Sequence, residues 1–227
     1  VWHGPEGLKA MAERIHLHAK TLHAALNNSG YKCTDSPLFD TVQVNVGPAA
    51  DEILKRAQSK RINLRRQGSS FIIALDETVT DKDLNDLLWI FSASPVTLEN
   101  NAHSFERQSS YMQHPVFHSY RSETDMMRYL YQLEKKDMAL NTAMIPLGSC
   151  TMKLNAATEM IPVTWPEFGA IHPYAPKEQA LGYIELIESL EQWLQEITGF
   201  DAVSMQPNAG SQGEYAGLLS IRQYHLN

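Results

Sequence analysis

The sequence predicts a mixed α/β chain in which a small α+β domain is followed by the start of a second α/β unit. Three observations support this prediction. Helix-like and strand-like periodicities succeed each other up to about residue 94, periodicity then disappears up to residue 121, and a long amphipathic helix leads into a turn of small residues near the C-terminus. With 227 residues, 43% of them hydrophobic, the chain can bury a substantial core.

The N-terminal elements follow from the spacing of apolar residues. Residues 7–28 place apolar side chains at three- and four-residue steps, which predicts an amphipathic helix, and Gly30 can end it. Residues 42–46 alternate valines with polar residues, as in a half-buried strand. Residues 50–59 carry their apolar side chains on one helical face, so a second helix is expected there.

A hairpin and a third helix are expected next. Two apolar runs, 62–65 and 71–75, flank the turn-forming residues 67–69. Residues 80–83 are typical of a helix start and precede apolar residues at helical spacing. The resulting order of helix, strand, helix, strand, strand and helix favours helices that cover one face of a short, largely antiparallel sheet.

A connector separates this part from the rest of the chain. Residues 92–121 lack periodicity and contain two prolines, three histidines and many polar residues. We therefore predict a small α+β domain at 1–94, a connector at 95–121 and an incomplete second unit at 122–227. Residues 122–125 resemble a capping box for the helix that opens this second unit.

The C-terminal part combines a long helix with a turn that has functional potential. Residues 178–198 predict an amphipathic helix that Gly199 can end. Residues 202–205 are expected to form a short buried strand, and residues 206–213 a turn of small residues before a helix that begins near Glu214.

The turn at residues 206–213 is the strongest local sign of function. A helix N-terminus offers free backbone N–H groups and the positive end of the helix dipole, both of which attract phosphate. Ser211 and Gln212 can add side-chain donors. The turn matches neither GxxxxGK[ST] nor GxGxxG, so an ordinary strand-to-helix turn stays open as the alternative.

A second candidate segment collects reactive side chains without regular spacing. Ser149, Cys150, Thr151 and Lys153 are candidates for an active-site loop, since loops on rigid scaffolds commonly carry function. The alternative is structural: a buried small thiol, a solvated lysine and an Asn155 that caps the next helix. No base and orienting group can be assigned near Cys150, so a thiol hydrolase is not proposed.

The composition disfavours several classes of function. The 26 acidic and 19 basic residues give a formal charge of -7, so no nucleic-acid partner is expected. No apolar run approaches the roughly 20 residues that span a bilayer, so no membrane role is expected. Cys33 and Cys150 form no CxxC pair, and neither a disulfide framework nor a metal site is expected. His16, His18 and His23 are expected on the surface of the first helix.

The first residues give an expectation about the chain as a whole. Val1 is not an initiator methionine, and the residues after it do not form a signal-peptide pattern. We therefore expect this chain to be a segment of a longer protein.

Several strings of residues resemble one enzyme family. They are His114 to Phe117, Ser122 to Thr124, Ile145 to Asn155 (IPLGSCTMKLN) and Gln206 to Leu218 (QPNAGSQGEYAGL), with a weaker similarity at His3 to Leu8. In these residues the chain resembles the glycine cleavage system P-proteins. Residues 103–227 carry most of the resemblance, because the eleven-residue string and the string near the C-terminus are independent of each other.

This resemblance implies a fold. The P-proteins contain two related halves, each similar to a fold-type I pyridoxal-phosphate enzyme. Residues 1–94 would then be the small terminal domain of the first half, and residues 122–227 the N-terminal part of the second, cofactor-binding half.

The resemblance also implies a reaction and its participants. The family decarboxylates glycine with pyridoxal 5′-phosphate and transfers the aminomethyl group to the lipoyl arm of the H-protein. The implied partners are glycine, lipoylated H-protein and other glycine cleavage components, with a homodimer as a candidate assembly of the parent. Bacterial cytoplasm and mitochondrial matrix both fit this implied role.

Carried over residue by residue, the resemblance assigns the turn to the cofactor. Asn208, Ala209, Gly210, Ser211 and Gln212 would form part of the phosphate site of pyridoxal phosphate. The candidate loop that contains Cys150 would lie near the active-site mouth, with the roles of its residues unassigned.

The resemblance also implies a missing group. The family's Schiff-base lysine lies well beyond the phosphate turn, past the last residue of this chain, and Lys153 lies on the wrong side of the turn to replace it. The chain alone is therefore expected to be inactive, while its parent is active. A noncatalytic scaffold or interaction segment, and another fold-type I pyridoxal-phosphate enzyme, stay open as alternatives.

Overall fold

The computed structural model describes residues 1–98, 107–136, 142 and 156–226. The chain forms two compact units, Val1–Lys136 and Asp137–Asn227. In the described residues the first unit contains a four-stranded sheet with helices, and the second contains helices and irregular segments.

With one added strand, the first unit begins with the predicted order of elements. In chain order they are α1 (Gly4–Asn28), β1 (Lys32–Cys33), β2 (Thr41–Asn45), α2 (Ala50–Ser59), β3 (Arg65–Gln67), β4 (Ser70–Ala74), α3 (Asp81–Ile90), α4 (Val116–Ser119) and α5 (Glu123–Glu134). The sequence did not predict β1, because two residues are too few to show a period.

The sheet is antiparallel throughout, with strand order β1-β2-β4-β3. Alternation in β2 buries Val42 and Val44 and exposes the polar residues between them. Phe71 pairs with Val44 across β2 and β4 and points to the same buried side. Apolar residues of α1, α2 and α3 complete this core. The predicted small α+β layer, with helices on one face of the sheet, is therefore confirmed.

One predicted strand is displaced. The apolar run at residues 62–65 was expected to be the strand, but β3 begins at Arg65. Ile62 donates its backbone N–H to the Ala57 carbonyl, in the last turn of α2, at 2.9 Å. Ile62 and Leu64 pack against the core from outside the sheet. These two side chains are apolar because they cover the core, not because they lie in a strand.

The start of α3 is fixed by a capping box. The Thr80 hydroxyl accepts the Asp83 backbone N–H at 3.4 Å, and the Asp83 carboxylate accepts the Thr80 backbone N–H at 2.9 Å. The carboxylate also accepts the Thr80 hydroxyl at 2.6 Å. Hydrogen bonds from the Thr80 hydroxyl, and then from its backbone N–H, hold the pKa of Asp83 below its ordinary value.

Replacing Thr80 with alanine is expected to destabilise α3 by about 1 kcal/mol at neutral pH, because both hydrogen bonds of the hydroxyl are lost. The matched variant Thr80→Ser keeps the hydroxyl and should stay within about 0.5 kcal/mol of the parent. The contribution of the Asp83 carboxylate is present above about pH 4 and is lost as pH falls through its lowered folded pKa. Denaturant-dependent hydrogen exchange of the α3 amides, measured at neutral pH and at about pH 3, reports the stability of α3 in each variant. Equal losses of stability in Thr80→Ala and Thr80→Ser would contradict the predicted role of the hydroxyl.

The second unit is helical in its described part. Its elements are α6 (Ala157–Met160), α7 (Pro166–Gly169), α8 (Leu181–Thr198) and α9 (Gly210–Leu226), with 3-10 turns at Ile161–Thr164 and Lys177–Gln179. As predicted, α8 ends at Gly199, which has a φ of +74°. None of the residues 156–226 is buried. No helix in the described ranges is long and apolar enough to cross a bilayer.

Two predictions for the second unit were wrong in detail. Residues 202–205 were expected to form a buried strand, but they are irregular, and three of the four are exposed. A strand needs a neighbouring strand to pair its backbone groups, and the described part of this unit contains no strand with which residues 202–205 could pair. The following helix begins at Gly210 and not near Glu214, so the small residues form its first turn.

Candidate functional site

The first turn of α9 is the structural counterpart of the predicted phosphate turn. Gly210, Ser211 and Gln212 are the first three residues of this 17-residue helix, and all three are exposed. The first N–H groups of a helix have no carbonyl partner within the helix. The turn therefore presents backbone donors to the surface.

The residues just before α9 shape its first turn. The Gln212 side-chain oxygen accepts the Asn208 backbone N–H at 3.1 Å. The Gly213 N–H donates to the Ala209 carbonyl at 2.9 Å, which is the first bond of the helical ladder. Gln212 thus uses its side-chain oxygen to hold the entry to the helix, while its side-chain NH2 group stays able to donate to a ligand.

The first turn of α9 is also favourable to an anion in its charge and its space. It contains no acidic side chain that would neutralise the positive end of the helix dipole. A Cβ added at Gly210 would meet no atom within 4 Å, so the backbone there is open to a close approach. Ser211 adds an exposed hydroxyl. This donor set fits the phosphate group of pyridoxal phosphate.

The predicted site residues stand in different positions. The five residues Asn208 to Gln212 lie together at the start of α9. The candidate loop residues Ser149, Cys150, Thr151 and Lys153 lie outside the described residues, as does Asn155. Their assignment to an active-site loop stays a prediction.

Cys33, by contrast, lies in the core. Its side chain is 4% exposed, on the buried side of β1. Burial, and then the charge of Asp35, raise the pKa of its thiol to about 11. A thiol that stays protonated is a poor nucleophile, so Cys33 acts as a small apolar residue.

Two histidines of α1 were predicted wrongly. His16 and His18 were expected on the surface, but both are buried. A ring nitrogen of His16 lies 3.0 Å from the Phe39 carbonyl, and His18 lies 3.3 Å from an Asp81 carboxylate oxygen. These partners satisfy the rings inside the fold, so the helix can bury them. No group of three potential metal ligands occurs within the described ranges.

Comparisons with known proteins agree with the resemblance. A family model described as "Glycine cleavage system P-protein" matches residues 1–91. Over 99% of its length the chain is 54% identical to the glycine dehydrogenase (decarboxylating) of Thermosynechococcus vestitus, and 52% identical to that of Deinococcus radiodurans. It covers 24% of each of these two relatives, so the chain spans about a quarter of their length.

Proposed function

We propose that this chain supplies about a quarter of a pyridoxal-phosphate-dependent glycine decarboxylase, because it belongs to the glycine cleavage system P-protein family. The parent enzyme removes the carboxyl group of glycine and transfers the aminomethyl group to the lipoyl arm of the H-protein. Sequence identity over nearly the whole chain to relatives named glycine dehydrogenase (decarboxylating) carries this proposal. The parent's halves then have the fold-type I architecture, with residues 1–94 as a small terminal domain, residues 95–121 as a connector and residues 122–227 as the start of the second half.

The role of α9 in this proposal is to hold the cofactor by its phosphate. Backbone N–H groups of Gly210 and Ser211, together with the Ser211 hydroxyl, donate to the phosphate oxygens. The helix dipole adds a favourable interaction with the negative charge. When bound, pyridoxal phosphate contributes an electron sink for decarboxylation.

Asn208 and Gln212 have a positioning role in the same turn. Their hydrogen bond holds the backbone before α9 in the path that leaves the first N–H groups exposed. Ser149, Cys150, Thr151 and Lys153 are proposed to belong to a loop near the active-site mouth. That part of the proposal rests on the resemblance alone.

The proposal is tested in a chimeric enzyme in which this chain replaces the matching quarter of the Thermosynechococcus vestitus relative. Release of CO2 from carboxyl-labelled glycine is expected, with a strong increase when lipoylated H-protein is added. Labelled alanine and glutamate serve as controls, because another pyridoxal-phosphate decarboxylase would prefer a larger amino acid. A folded chimera that binds cofactor but releases no CO2 from glycine would overturn the proposal and favour the noncatalytic alternative.

A further inference from the structure

Positive charge is concentrated in one part of the first unit. Six of the chain's 19 basic residues lie within the twelve positions 55–66, and no acidic residue lies there. Since these positions carry +6 and the whole chain carries -7, the rest of the chain carries -13. This segment covers the second half of α2, the turn after it and the start of β3. Nothing in the proposed function uses it.

The helices α2 and α3 lie side by side in opposite directions, which brings basic residues together. Arg56, on α2, donates to the Ser92 hydroxyl at 2.6 Å and to the Trp89 carbonyl, both near the end of α3. Lys60, directly after α2, donates to the Asp86 carboxylate at 2.7 Å, earlier in α3. A later residue of the first helix thus meets an earlier residue of the second.

One carboxylate holds two ammonium groups at this surface. Asp86 accepts from Lys60 and also, at 3.0 Å, from Lys82 on the preceding turn of α3. The Asp86 side chain is only 15% exposed, whereas the Lys82 side chain is 81% exposed. The surface therefore presents the cations and largely covers the carboxylate between them.

Trp89 lies among these cations. It is 49% exposed, and the Arg56 guanidinium and the Lys60 ammonium lie 4.8 Å and 4.9 Å from the centre of its ring. Both distances are in the range of cation–π attraction, so the two cations hold the ring in place. Tryptophan and arginine are enriched among the residues that contribute most to protein–protein binding. A half-exposed tryptophan held by cations fits such a role.

Arg61 occupies a position that favours glycine. It follows the end of α2 with a φ of +59°, and its N–H donates to the Gln58 carbonyl at 2.9 Å. A left-handed residue that ends a helix in this way is usually glycine, because a Cβ is strained there. Arg61 is exposed, and none of the described acidic side chains forms an ion pair with it. An unpaired charge at a strained position indicates a role towards a binding partner.

These residues form one surface, which we call the basic face. Its members are Arg56, Lys60, Arg61, Lys82 and Trp89. At the starts of α2 and α3 it is bounded by the carboxylates of Asp51 and Asp81, which are 78% and 93% exposed. The ten residues of α2 are about 15 Å long, which an extended segment of about five residues can span.

We propose that the basic face binds a short acidic segment of a partner protein. Carboxylates of the segment pair with the guanidinium fork of Arg61 and with the Lys82 ammonium, and an apolar side chain packs on Trp89. A nucleic acid fits less well, because its evenly spaced phosphates would continue beyond the face towards Asp51 and Asp81. This proposal does not depend on the proposed function.

The test measures the binding of a labelled, capped hexapeptide, EDELDE, to the full 227-residue chain by fluorescence anisotropy in about 50 mM salt. Replacing both Arg61 and Lys82 with glutamine should weaken binding at least about fivefold, because two exposed ion pairs are lost. Urea unfolding of each variant, followed by hydrogen exchange of the β2 and β4 amides, verifies that the first unit is folded.

The matched control replaces Arg65 and Arg128 with glutamine, which removes the same charge. Arg65 pairs with Ile72 on β4, whose neighbours Phe71 and Ile73 are buried, so Arg65 lies on the sheet face away from the helices. Arg128 is exposed on α5. This control should change the affinity less than about twofold. Equal losses in the two double variants would mean that net charge attracts the peptide, which would overturn the proposal.

Arg61→Gly separates binding from a structural role at the end of α2. Glycine adopts the left-handed backbone without strain, so the urea midpoint of the first unit should not fall. Peptide binding should nevertheless weaken about threefold, because one ion pair is lost. A lower midpoint with unchanged binding would assign Arg61 to the interaction of its charge with the α2 dipole and would overturn the proposal.

A competing partner gives the last comparison. A DNA duplex of about 12 base pairs should bind the chain more weakly than the hexapeptide does. Tighter binding of the duplex, lost in the Arg61 and Lys82 double variant, would assign the basic face to nucleic acid. Absence of peptide binding to a chain whose first unit is folded would equally contradict the proposal.

Discussion

Replacing Gly210 with aspartate is expected to weaken pyridoxal-phosphate binding to the chimeric enzyme by at least about a hundredfold. Two unit charges 4 Å apart repel each other by about 4 kcal/mol at an effective dielectric constant of 20, and a hundredfold loss corresponds to about 2.7 kcal/mol. The open space around Gly210 accommodates the new side chain without a clash. The loss would therefore come from charge and not from misfolding.

The same substitution should leave the helix intact. An aspartate in the first turn interacts favourably with the helix dipole, by about 0.3 to 1 kcal/mol. Gly217→Asp is the matched control, because Gly217 lies in the middle of α9, is exposed and also has open space around it. Cofactor titration followed by absorbance compares the two variants. Equal affinities would mean that the first turn of α9 does not hold the phosphate.

Replacing Phe71 with alanine is expected to destabilise the first unit by about 3 to 5 kcal/mol. Phe71 is 0% exposed and contacts Phe91 edge to face, with 6.2 Å between the ring centres. It lies on β4 and faces the helices, so its removal leaves a cavity between the two layers of the fold. A loss of this size is a large fraction of the roughly 5 to 15 kcal/mol that stabilises a typical domain.

Phe39→Ala is the control for this prediction. Phe39 is 52% exposed and stacks on His16, so its truncation should cost about 1 kcal/mol or less. Hydrogen exchange of the β2 and β4 amides at increasing urea concentrations reports the free energy of unfolding of this unit alone, which matters because the chain has two units. Similar midpoints for both variants would contradict the view that the sheet and its helices share one core.

The sequence predicted the first unit well where one periodic face meets one core. The valines of β2, the apolar face of α2 and the helix start at residues 80–83 each follow from local sequence, and the structure confirms them. Prediction from the sequence failed at Ile62, where an apolar residue packs on the core from outside a regular element. It also failed at His16, where a polar residue is buried with a partner distant in the sequence. Both depend on tertiary contacts that periodicity does not contain.

The second unit shows the same limits. Gly199 was predicted to end α8 and does so. The prediction succeeded because the left-handed backbone conformation that ends a helix depends on one residue and not on distant contacts. The strand at residues 202–205 was wrong because strand formation depends on a pairing partner. The hydrogen bonds from Arg121 to the His3 carbonyl and the Glu6 carboxylate were missed for a related reason. The sequence drew attention to both segments, but no local spacing reveals that residues more than 100 positions apart meet.

The most direct test of the central claim is a crystal structure of the chimeric enzyme with pyridoxal phosphate. The account predicts that the phosphate oxygens lie about 3 Å from the backbone nitrogens of Gly210 and Ser211, in the usual range for N–H to oxygen hydrogen bonds. A cofactor whose phosphate is bound by other residues, with the first turn of α9 in contact only with solvent or protein, would contradict it.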